Sequence, residues 1–305
     1  MLRFEEAERR PLSIEVFREY QGIPVEYVTN NHALENPEAR LLNFYAGLGE
    51  ERRAAIRAME IFDNLEMPAS AVILPFHHLP PSRANLKRIT VEVPQKFVTV
   101  QNLKSGRPEN MPVDLVGSSQ GGGAAIMMAG EAPDLFDAIA VKSPVGLNRE
   151  AFGSEDTSAW IKRLKFMYRL GLKNSTFTDQ WPIHIKEPHL DKGNLTGPFE
   201  VWRRVIDDAK DRRLYAKLDY ALSICLAETV QQLSKNHWMR VFVGEKDPLF
   251  RLAEIQKSLG KVGCGDLVIP IKGASHSLIV SNAGARQITE IGEILKSAHP
   301  TTRAA

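Results

Sequence analysis

Val113-Asp114-Leu115-Val116-Gly117-Ser118-Ser119-Gln120-Gly121-Gly122-Gly123-Ala124-Ala125-Ile126 is the stretch from which the chain is best read. Four mostly apolar residues, short enough for a strand buried on both faces, run straight into a glycine-rich turn. A helical run from Ala124 to Ala129 follows without a spacer. Gly117, Ser119 and Gly121 make a G-x-S-x-G at this strand-to-helix turn. The turn is so sharp that its central residue sits in a strained backbone conformation, and side chains on either side would collide, hence the glycines. Ser119 is thereby presented at the carboxyl edge of a sheet, next to the free N–H groups of a helix start.

Working outward, similar short apolar runs occur at 41–45, 71–74, 138–141, 241–243 and 268–271. With 113–116 they predict a six-stranded, mostly parallel central sheet, an α/β architecture with helices on both faces. Residues 12–20 and 23–29 alternate apolar with polar side chains and predict an antiparallel hairpin leading into it. Helices are expected at 50–65 and 283–295, where apolar residues recur near a 3.6-residue period, and at 252–259. The segment 90–103 is ambiguous, because Val91, Val93, Val98 and Val100 suit a strand while Pro94, Phe97, Val98 and Leu103 suit a helix with proline in its first turn; helix is preferred. From 148 to 234 no convincing strand appears, whereas 160–172, 199–211 and 214–233 carry helical patterns. This predicts a helical insertion between two pieces of an α/β core, 1–147 and 235–305.

A serine hydroxyl is a weak nucleophile unless an imidazole takes its proton. Of eight histidines, His276 is the best placed, because it follows the strand at 268–271 through the small residues Gly273, Ala274 and Ser275. The imidazole needs a carboxylate to hold its tautomer. Asp247 lies just past the strand at 241–243 and precedes His276 by 29 positions, room for one helix and one strand. Asp247-Pro248 also reads as an ordinary turn starter. Nucleophile, acid and base therefore stand in that order, each at the carboxyl end of a predicted parallel strand, where open sheets bind their ligands.

In the G-x-S-x-G at 117–121, the order Ser119, Asp247, His276 and the helical insertion, the sequence resembles the α/β-hydrolase superfamily over nearly its whole length. The resemblance implies Ser119 as nucleophile, His276 as base and Asp247 as its orienting carboxylate. It implies an oxyanion hole from the backbone N–H of Gln120 and of Leu48, and a helical cap at 148–234 inserted after the sixth strand. Many members carry His-Gly where this chain has Ala46-Gly47, but a backbone donor depends on the chain's path and not on that imidazole. Aspartate takes the elbow in haloalkane dehalogenases and epoxide hydrolases of this fold, so Ser119 argues against both activities. The expected reaction is cleavage of a carboxylic ester or thioester of small to medium size through an acyl-serine, with no cofactor. Amide or carbon–carbon cleavage and a non-catalytic ligand-binding role are the alternatives.

The rest of the sequence narrows the partners. Thirty-nine Lys and Arg against 37 Asp and Glu leave a formal charge of +2, which argues against nucleic acid. Cys225 and Cys264 form no CxxC, so no zinc site or disulfide framework is expected. His184, His189 and Asp191, and the pair His77-His78, lack metal-ligand spacing, and no metal is expected. The triple glycine 121–123 has no accompanying phosphate-loop pattern. No apolar run reaches the roughly 20 residues of a membrane span and no secretory signal is visible, so a cytoplasmic protein is expected. Residues 160–173 contain Lys162, Arg163, Lys165, Arg169 and Lys173 with no acidic residue. They predict a basic amphipathic helix, read as packing on the core with a solvated face in preference to docking on a lipid surface. A homo-oligomer is left open.

Overall fold

A computed structural model describes residues 12–20, 23–30, 40–47, 51–73, 82–153, 156–172, 213–276, 279 and 282–298. Eight strands form one sheet: β1 Ser13–Tyr20, β2 Ile23–Thr29, β3 Leu42–Tyr45, β4 Ala69–Ile73, β5 Val113–Ser118, β6 Phe136–Lys142, β7 Trp238–Gly244 and β8 Val268–Ile271. Their order is β1-β2-β4-β3-β5-β6-β7-β8. All six strands from β3 to β8 pair parallel, and β2 runs antiparallel to both β1 and β4. The expected hairpin is therefore joined edge-on to the expected parallel sheet.

The longer helices are α1 Glu51–Asn64, α2 Val93–Lys104, α3 Gln120–Glu131, α4 Ala159–Leu172, α5 Arg213–Ser223, α6 Ala227–Leu233, α7 Leu252–Gly260 and α8 Asn282–Ala298. Successive strand residues point to opposite faces, and two apolar cores result. Leu115, Ile139, Val141, Val241 and Val243 pack with α2, α3, α6 and α7 on one side. Val116, Ala138, Ala140 and Phe242 pack with α1 and α8 on the other. Coverage on both faces explains why these strands read as continuous apolar runs instead of alternating ones.

The ambiguous segment 90–103 is helical. A π-helical turn, Arg88–Glu92, feeds directly into α2, whose first turn holds Pro94 where its missing N–H costs nothing. The single helix expected over 214–233 is a correction: α5 ends at Ser223 and α6 begins at Ala227. Ser223 Oγ donates to the Tyr220 carbonyl at 2.8 Å, competing with the last helical turn, and the Leu226 N–H is drawn to the Gly146 carbonyl at 3.1 Å. The helix expected over 199–211 lies outside the described residues.

The chain order reverses beside β3, whose neighbours are β4 on one side and β5 on the other. Crevices outside the carboxyl ends of parallel strands open at such reversals. Ser119 lies there.

Candidate active site

Ser119 has φ 52° and ψ −114°, a conformation that L residues avoid. Its surroundings hold it there. The Ser119 N–H donates to the Lys142 carbonyl at 2.8 Å, and its carbonyl accepts from Gly123 and Val145, each at 3.1 Å. The flanking glycines are required by space. A Cβ on Gly117 would lie 2.6 Å from the Gly121 carbonyl oxygen, and one on Gly121 would collide with the carbonyls of Tyr45 and Ala46 at the end of β3. The first turn of α3 therefore sits directly on the backbone of β3. Its leading N–H groups have no intrahelical acceptor.

Asp247 and His276 are brought together by the ends of β7 and β8. Those ends are tied to each other: the Lys246 N–H donates to the Ala274 carbonyl at 2.8 Å and the Glu245 N–H to the Ile271 carbonyl at 3.2 Å. Gly244 permits the approach, since a Cβ there would lie 2.6 Å from the Ala274 carbonyl oxygen. His276 Nδ1 then lies 2.9 Å from Asp247 Oδ2. An ionised carboxylate only accepts, so Nδ1 carries the proton and Nε2 is left as the acceptor. Asp247 Oδ1 accepts from the N–H groups of Leu249 and Phe250, each at 2.9 Å, and Oδ2 also accepts from Ser143 Oγ at 2.7 Å. Burial by itself would raise the Asp247 pKa. The His276 charge and hydrogen bond, with those from Phe250 and Ser143, outweigh it and hold the carboxyl below its ordinary range.

Ser143 and Phe250 are site residues that the sequence did not reveal. Ser143 is fully buried at the end of β6 with φ 44°, and its N–H donates to the Phe242 carbonyl at 2.8 Å. A Ser-Pro after a strand carries no signal that separates it from a turn. The Phe250 ring packs against the His276 ring with centroids 5.2 Å apart. It also lines a cavity of about 30 Å³ with Ser119, Gln120, Asn148, Phe152 and Phe166. Leu218, Ala221 and Leu222 of α5 complete an apolar wall, and Phe250 both lines this space and packs on the His276 ring. No hydrogen bond joins Ser119 to His276 among the described residues. Leu48, His77, His78, His184, His189, Asp191 and Lys173 lie outside the described residues. Among the described residues no group of His, Cys, Asp and Glu could hold a metal ion, and no helix is long and apolar enough to cross a membrane.

The strand order, the one antiparallel strand among eight and the strained serine after β5 define a protein of the α/β-hydrolase fold. Comparison with known proteins agrees. Residues 89–184, which contain the serine turn, match the family described as "Putative esterase". Of the solved structures, a lipase of Acinetobacter baumannii, so called provisionally, is 14% identical with a TM-score of 0.62, over 94% of this chain and 92% of that one. A membrane phospholipase A described as a bacterial virulence factor is 14% identical with a TM-score of 0.61, over 95% and 87% of the two chains. The thioesterase domain from the curacin biosynthetic pathway is 13% identical with a TM-score of 0.55, over 92% and 99%. No curated protein matches the chain. By fold the chain is an α/β-hydrolase.

Proposed function

We propose that the protein is a serine hydrolase that cleaves a carboxylic ester or thioester through an acyl-Ser119 intermediate. The observation that carries this reading is the strained Ser119 turn lining a cavity with Phe250, whose ring packs on a His276 imidazole already paired to a buried Asp247. His276 Nε2 would take the Ser119 proton as Oγ attacks the substrate carbonyl, a contact that closes by rotation of the serine side chain when substrate fills the cavity. Asp247 would hold the ring and stabilise the imidazolium. The N–H of Gln120, with that of Leu48 in the loop after β3, would stabilise the tetrahedral oxyanion. His276 would then give its proton to the departing alcohol or thiol, and a water activated by the same imidazole would release the acid.

The esterase-family match over the serine turn supports ester chemistry, and the lipase, phospholipase and thioesterase among the similar structures keep both oxygen and sulfur leaving groups in view. The apolar wall from α4 and α5 is read as part of a helical cap at 148–234 over the core, and it favours a small or medium acyl group. A fluorophosphonate probe tests the reading: it should label Ser119 in the folded protein and not in Ser119→Ala, and short p-nitrophenyl esters should be turned over. Labelling without ester turnover would move the reaction to amides or carbon–carbon bonds. Neither labelling nor turnover would make the protein a ligand-binding member of the fold.

A further inference from the structure

The apolar space beside Ser119 is small, and its walls are fastened. Its volume is about 30 Å³. An apolar cavity of roughly 150 Å³ takes up a benzene molecule, so this one has room for a group of about one or two carbons. Phe152, Phe166, Leu218, Leu222 and Phe250 line it beside Ser119, and no charged side chain does so among the described residues. The first four pack on one another, with Phe152, Leu218 and Leu222 buried and the Phe152 and Phe166 rings 5.9 Å apart. Bonds outside the cavity hold this wall in place. Asn148 Nδ2 donates to the Leu249 carbonyl at 3.1 Å, and Tyr220 Oη lies 3.3 Å from Thr90 Oγ1 in the π-helical turn before α2. The Arg163–Asp219 and Arg169–Glu254 pairs fix α4 against α5 and α7. Widening the space would force packed side chains off their rotamers or break these bonds.

We propose that this space receives the tail of the acyl group, so that the enzyme acts on acetate and propanoate esters and turns away longer acyl chains, with Leu218 and Leu222 setting the limit. The proposal rests on the serine-hydrolase reading above and narrows it. In the first half of that reaction the bond from Ser119 Oγ to the acyl carbon forms as the bond to the alcohol breaks, and the alcohol departs with the proton from His276. In the second half water takes the acyl group off Ser119 as the acid. The alcohol must therefore diffuse away and let water in, while the acyl group stays through both halves. A narrow, uncharged space behind fastened side chains suits the half that stays. A methyl or ethyl group fills it. Each further methylene has to displace Leu218, Leu222 or an aromatic ring that is already packed, which lowers the rate about tenfold or more.

A series of p-nitrophenyl esters shares one leaving group and so isolates the acyl side. The kcat/KM for the acetate and the propanoate should exceed that for the butanoate at least about tenfold, and that for the hexanoate by more. Leu218→Ala and Leu222→Ala cut the wall back, and each should raise the butanoate-to-acetate ratio at least about tenfold over the parent. Both esters are followed in the same preparation, so a loss of folded protein cancels in the ratio. Leu222→Val is the gentler deletion and should move the ratio the same way by about threefold, which keeps the test in hand if the alanine variants do not fold. Methyl, butyl and hexyl acetate, which lengthen the alcohol instead, should show no such cut-off. A butanoate hydrolysed as well as the acetate, a ratio unmoved in every folded variant, or a cut-off among the three alkyl acetates overturns the proposal. Probe labelling of Ser119 with no ester turnover overturns it too. The absence of both labelling and turnover overturns the hydrolase reading itself.

Discussion

At the scale of single residues, the Asp247–His276 pair depends on the groups that hold it. Ser143 Oγ and His276 Nδ1 bond the same oxygen of Asp247. Removing the hydroxyl takes away one of the bonds that hold the Asp247 carboxylate in place and below its ordinary range. Ser143→Ala should therefore lower kcat/KM by about tenfold, as expected for one hydrogen bond to a charged group. A second buried carboxyl acts on stability. Asp114 lies in β5, and burial pushes its pKa up to about 7 despite Arg40 3.9 Å away and a hydrogen bond from the Ala138 N–H at 3.2 Å. Between the ordinary carboxylate value of 3.8 and about 7, the native state keeps a proton that the unfolded chain has lost, so stability falls as pH rises across this window. Asp114→Asn keeps the acceptor for Ala138 and removes the titration. It should raise the melting temperature by several degrees at pH 8 and leave it nearly unchanged at pH 4.

At the scale of elements, the wall over Ser119 is fastened by charge as well as by apolar contact. Arg169 of α4 donates to both carboxylate oxygens of Glu254 in α7, each at 2.8 Å, and its guanidinium lies 4.9 Å from the centre of the Phe152 ring. Arg163 pairs with Asp219, tying α4 to α5. The Arg169 side chain is only 13% exposed, so this pair is screened less than a surface one. Arg169→Met should cost about 1–3 kcal/mol of stability. It should also speed proteolysis within α4 and raise KM more than it lowers kcat, because the pocket wall loosens while the Asp247–His276 pair is untouched. The basic character of α4 was visible in the sequence. That Arg163 and Arg169 answer acids on two other helices was not, since Asp219 lies 56 and Glu254 85 positions away. The same element shows large exposed side chains, Trp160 at 64% and Leu164 at 48%, outside those pairings. The break between α5 and α6 was equally hidden. The 3.6-residue pattern runs on through 224–226, and the Ser223 hydroxyl bond to Tyr220 and the pull of the Gly146 carbonyl on Leu226 interrupt it.

At the scale of the whole molecule, a parallel sheet covered on both faces puts the most protected backbone at its centre. Amide exchange should be slowest in β5 and β6, where Leu115, Val116, Ile139 and Ala140 are fully buried, and faster by orders of magnitude in β1 at the edge. Equal protection across β1 and β5 would show that the hairpin belongs to the same cooperative unit. Much of this architecture was legible in one dimension, because strands buried on both faces must be continuously apolar and a strand-to-helix turn this tight must be glycine-rich. Those two constraints act on neighbours in the chain, and they set the parallel sheet, the position of Ser119 and the strand-end locations of Asp247 and His276. What joins strand ends side by side left no such mark. The bond from Ser143 to Asp247 spans 104 positions. Phe250 packs on the imidazole and lines the cavity only because β5, β6, β7 and β8 come to rest next to one another. Contacts of that kind depend on the packing of whole elements, and the tertiary structure alone decides them.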